Sequence, residues 1–109
     1  MPIVTLEQAR MHLRVDDDDE DDLIELFIAT AGEQVQGYLG RLVFSGQAEL
    51  DEAVATGAGG DRPMVSNAST KAAALLLIGH LYEGREDGPA GLSSVSRAIL
   101  DPFRIGQGV

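Results

Sequence analysis

The sequence predicts an all-α protein, a small bundle of about four helices over about 6–14, 20–39, 70–83 and 93–101. A long irregular loop at 41–67 should interrupt the bundle. Three observations carry this reading. Apolar residues recur at helical spacing, cap-forming residues precede the periodic segments, and Gly40, Gly84 and Pro102 stand where those segments stop. The 109 residues suit a single domain, because a chain of this length has room for one modest core.

Thr5-Leu6-Glu7-Gln8 has the form of a capping box, and Leu6, Ala9 and Leu13 give the first helix a short buried stripe. An acidic run from Asp16 to Asp22 follows. Beyond it Leu23, Ile24, Phe27, Ile28, Ala31, Val35, Tyr38 and Leu39 fall within an arc of about 160° at 100° per residue. This is a strongly amphipathic second helix, and Leu26 lies outside its apolar arc.

From 41 to 67 the periodicity fails, and the Gly57–Gly60 cluster with Pro63 reads as a flexible arm. Leu42-Val43-Phe44 is its one candidate strand or hydrophobic anchor, and Gln47 to Ala55 could add a turn or two of helix. Loops this long in small domains tend to carry function, so the arm is a candidate contact element. Asn67 or Ser69 caps the third helix, whose centre, Ala72 to Gly79, is apolar all the way round and therefore needs cover on every side, some of it from a neighbouring molecule. The last helix, capped by Ser93 or Ser94, carries Val95, Ala98, Ile99 and Phe103. Residues 105–109 read as a loose tail.

Composition narrows the function. An apolar fraction of 44% supports a folded core, and the absence of cysteine excludes disulfides, thiolate metal sites and cysteine nucleophiles. With neither a basic-then-apolar leader nor an apolar run near the roughly 20 residues of a membrane span, a soluble cytosolic protein with no membrane partner is expected. The net charge of −10 sits in the first half, where three Arg face thirteen Asp and Glu over residues 1–55. Such a chain repels phosphate backbones, which argues against ordinary nucleic-acid binding.

No constellation for chemistry emerges. An EF-hand register from Asp16 puts Asp21 and Phe27 where Gly and Glu are required, and one from Asp18 puts Leu23 and Ala29 there. The carboxylates are better read as the favoured first turn of a helix, although Asp16 and Asp17 lie too far out to gain from its dipole. His12 and His80 lack a second histidine at helical spacing, no serine stands in a Gly-x-Ser-x-Gly elbow, and the glycine cluster lacks the Lys-Ser or Lys-Thr of a phosphate loop. The expectation is no catalytic residue, no metal and no cofactor. Leu26 is either a solitary surface leucine or part of an interface.

Thr5 to Ala9, then His12-Leu13-Arg14-Val15-Asp16 and Asp18 to Ile24, resemble the opening of the head-tail connector (adaptor) proteins of long-tailed bacteriophages, also described as possible DNA-packaging proteins. Lys71 to Glu86, with its Tyr82-Glu83-Gly84-Arg85-Glu86 ending, is similar to that family's third helix. Leu100-Asp101-Pro102-Phe103-Arg104 resembles its closing segment. The 41–67 segment contributes little to the likeness.

The resemblance implies a helical protomer that forms a ring of about a dozen copies, docked under the portal of the DNA-filled head and above a stopper or tail-completion protein. DNA would pass through it without specific binding. The expected location is the head-tail junction of the virion, reached from the host cytoplasm during assembly. In such a ring the unrelieved carboxylates of Asp16 and Asp17 would face Arg85, Arg97 or Arg104 of the next subunit, with Leu26, Leu42 and Phe44 as apolar contact candidates. Two rival readings are an acidic decoy that neutralises a basic partner and a divalent-metal hydrolase built on the aspartate cluster.

Overall fold

The computed structural model describes residues 3–84 and 91–105. Helices α1 (Leu6–Leu13), α2 (Asp21–Leu39), α3 (Gln47–Ala55), α4 (Ala68–Tyr82) and α5 (Ser94–Leu100) are joined by strands β1 (Val43–Phe44) and β2 (Met64–Val65), and a 3-10 turn at Asp101–Phe103 follows α5. The architecture is the mostly helical one that the periodicity predicts, and the helical turns suggested at 47–55 form as α3. No helix among the described residues is long and apolar enough to cross a membrane.

The Thr5 capping box forms: Gln8 N–H donates to Thr5 Oγ1 at 3.1 Å, and Thr5 N–H donates to Gln8 Oε1 at 3.0 Å. α1 ends at Leu13, because Arg14 turns left-handed at φ 61°. α2 buries Ile24, Ile28, Ala31, Val35 and Leu39. Phe27 and Tyr38 pack half-buried at the core's edge, whereas Leu23 stays 42% exposed. Gly40 closes the helix at φ 72°, a conformation that favours glycine, and its N–H donates to Gln36 O.

α4 lies antiparallel to α2 and makes its most extensive contact with it. Asn67, not Ser69, caps α4, so it begins two residues before the predicted start. Thr70 is fully buried there: its N–H donates to Asn67 Oδ1, its Oγ1 accepts the Asn67 N–H, both at 2.9 Å, and Ser66 Oγ completes the cluster. Ala73, Ala74, Leu77 and Ile78 fill the core. Gly79 faces α1 beside the His12 ring, where a β-carbon would come into contact with His12 Nε2 at 3.4 Å. The opposite side of α4 is less covered, with Ala72 exposed and Leu76 half-buried.

α5 turns differently from its predicted orientation. Ser96 and Leu100 face the core, and Val95 and Ala98 face outward. Burial of Ser96 is tolerable because Ser93 Oγ takes its N–H at 3.1 Å and meets its hydroxyl at 3.3 Å.

Within the long segment 41–67 the candidate strand at 42–44 forms as β1 and the helical turns suggested at 47–55 form as α3. β2 and its parallel pairing with β1, in the register Val43↔Met64, Phe44↔Val65, go beyond the sequence expectation. Met64 N–H donates to Leu42 O at 3.0 Å and Ser66 N–H to Phe44 O at 2.7 Å. α3 packs on both strands and has no buried side chain. Arg41 anchors the base of this excursion. Its guanidinium donates to Arg62 O at 2.6 Å, Phe103 O at 3.1 Å and Pro63 O at 3.5 Å, joining the end of α2 to the strand pair and the chain's closing turn.

Candidate assembly surface

α2 carries unlike groups at its two ends, about 26 Å apart from Asp21 to Tyr38 at 1.5 Å per residue. At its start the Arg10 guanidinium grips the Asp21 carboxylate at two points, Nε to Oδ1 at 2.8 Å and NH2 to Oδ2. That hydrogen bond, with the charges of Asp21, Asp18 and Asp17, holds the Arg10 pKa above its ordinary value against the effect of desolvation. Asp17 Oδ1 accepts the Asp19 N–H at 3.1 Å, and the Tyr82 hydroxyl donates to Glu20. Asp16, Asp17, Asp18, Asp19 and Asp22 remain exposed.

At the far end the Tyr38 hydroxyl donates to Asp101, and the Arg104 guanidinium lies 4.7 Å over the Tyr38 ring while Nε donates to Tyr38 O at 3.2 Å. Ile105 N–H donates to Leu39 O at 2.8 Å, fixing the chain's last described residue to α2. Arg97 stands beside this cluster, on a groove of about 500 Å³ that Glu33, Gln34, Gly37, Tyr38 and Leu92 also line.

The tyrosines make these clusters measurable. The hydrogen bond to Asp101 is the main cause that raises the Tyr38 phenol above its ordinary 10.0, burial and the Asp101 charge adding to it while Arg104 and Arg97 oppose. Glu20 does the same for Tyr82, followed by burial and the charges of Glu20 and Asp17. A pKa raised on folding stabilises fully below the unfolded value and is lost as pH rises through the folded one. The chain has only these two tyrosines and no tryptophan. Near-ultraviolet titration should therefore show tyrosinate appearing at higher pH in the native chain than in urea. Superimposable native and unfolded curves would contradict both contacts.

The sequence-predicted residues fall in three places. Asp16 and Asp17 are exposed in the α1–α2 turn, and Leu26 is 60% exposed on the second turn of α2. Leu42, 38% exposed, and half-buried Phe44 belong to the base of the α3 excursion. Arg97 and Arg104 are exposed at the opposite end of α2, so a single copy does not bring them to the acidic turn. Arg85 lies outside the described residues. Sequence reasoning missed Arg41 and the two tyrosine clusters, whose partners are up to 63 residues away in the chain, and it missed Val95 as a surface residue.

Among the described residues, no group of three or more His, Asp or Glu side chains is placed to hold a metal ion. The surface instead offers exposed apolar side chains beside charged ones. A family model described as phage gp6-like head-tail connector protein matches residues 3–99. No curated protein and no solved structure matches the chain.

Proposed function

Since the chain belongs to the phage gp6-like head-tail connector family, we propose that it builds a ring of identical copies joining the portal of a phage or prophage head to the stopper or tail-completion protein. The match over residues 3–99 is the observation that carries this reading. It spans α1 to α5 almost entirely, so the whole helical body takes part in the likeness. The role is mechanical, that of a joint and conduit at the head-tail junction. A net charge of −10 favours passage of DNA over adhesion, because carboxylates repel the phosphate backbone and leave few cations to displace its counterions.

The exposed turn at Asp16 and Asp17, with Leu26, Leu42, Phe44, Arg97 and Arg104, supplies candidate contacts to the portal, the tail side or neighbouring copies. Native mass spectrometry with light scattering tests the ring. Alone at high concentration or on addition of portal protein, the chain should form one closed species of about a dozen copies. A chain that never exceeds a dimer under either condition would remove the ring from consideration.

A further inference from the structure

Two exposed apolar strips lie on the body, and their charged borders are of opposite sign. The first is on the opening turns of α2, where Leu23 is 42% and Leu26 60% exposed. Their spacing of three puts them on one ridge, and Asp19, Asp22 and Glu25 border it. The second is the outward side of α5. With Ser96 and Leu100 turned inward, Val95, 60% exposed, and Ala98 form its apolar ridge, with Arg97 beside them and Arg104 just past the helix. The one salt bridge among the described residues is Arg10–Asp21, so Arg97 and Arg104 form none, and two guanidinium groups against the single carboxylate of Asp101, which takes the Tyr38 hydroxyl, leave that end net positive.

We propose that these strips are the two halves of one head-to-tail contact between copies of this chain. Leu23 and Leu26 of one copy pack on Val95 and Ala98 of the next, and Arg97 and Arg104 approach Asp22, Glu25 and the acidic turn. The choice of a second copy as occupant rests on charge complementarity. Pairing the α2 strip with itself would press two carboxylate-rich turns together, whereas pairing unlike ends relieves that repulsion and covers both ridges. A contact between two different surfaces leaves one of each free on every pair, so it propagates until it closes. Four small side chains cover far less than the roughly 800 Å² per partner of a stable dimer, so the contact needs high concentration or a portal template. This inference rests on the ring reading above and adds the surfaces that would build it.

The absence of cysteine allows a direct test. In the full chain, under the two conditions already named, the double variant L26C/V95C should give a ladder of crosslinked multimers on oxidation. L26C and V95C alone should give none, and their mixture should give dimers. Arg97→Glu should weaken association tenfold or more, and adding Glu25→Arg should restore most of it. Assembly with no ladder, self-crosslinking of L26C alone, or no recovery on charge exchange would each overturn this pairing while leaving the ring in place. A chain that stays monomeric throughout overturns pairing and ring together.

Discussion

Replacing Ile78 by alanine should cost about 3 kcal/mol of folding stability, the usual range for removing a buried aliphatic side chain and leaving a cavity. Ile78 has no exposed surface and sits in the C-terminal half of α4, the helix that α2, α5 and α1 all touch. For a chain with one core this is a large share of the total. The melting temperature should fall by more than 10 °C, at about 4–8 °C per kcal/mol for a small domain. Leu76→Ala is the matched control. Leu76 is half-buried on the less covered side of the same helix, so its truncation should cost the isolated chain under about 1 kcal/mol. Calorimetry on both variants therefore reads which side of an all-round apolar helix the monomer covers. Equal losses would mean that the outer side is already buried in the single chain.

The second large effect is expected at Arg41. Its guanidinium satisfies the carbonyls of Arg62, Pro63 and Phe103. Arg41→Met keeps much of the aliphatic stem and removes all three charge-assisted bonds, at a cost of about 2 kcal/mol. The loss should be regional. In hydrogen exchange, amides at 42–44, 64–66 and 103–105 should lose protection, while those of α2 and α4 around Val35 and Ile78 keep it. Uniform loss along the chain would show that Arg41 supports the whole core instead.

Much of this body is legible in the sequence, because its signals are local. The caps at Thr5, Asn67 and Ser93 each bond within three residues, and five of the eight apolar positions assigned to the face of α2 are buried. α3 is legible only as the turn or two of helix suggested at 47–55, for a related reason. It has no buried side chain, starts at Gly46 without a side-chain cap, and forms against a strand pair of two residues per strand, so neither periodicity nor capping marks it. α5 was misoriented because Ser96 reads as a polar surface residue until its bond to Ser93 is seen. The exposed candidates Leu26 and Arg97 could be picked out from charge and phase. Their positions at opposite ends of one rigid helix could not, since nothing local ties residues 97–104 to Tyr38.

The parallel pairing of Val43 with Met64 sets the two ends of the α3 excursion one strand spacing apart, about 4.8 Å. Such a segment leaves and re-enters the body at a single point, like a handle. Its length can change at little thermodynamic penalty, about 0.6 kcal/mol per doubling, without moving the helices on either side. For a protein that must fit between other components, this is a natural place for lineages to diverge. It is equally a port at which a peptide tag or a foreign docking element can be grafted onto a fixed helical frame.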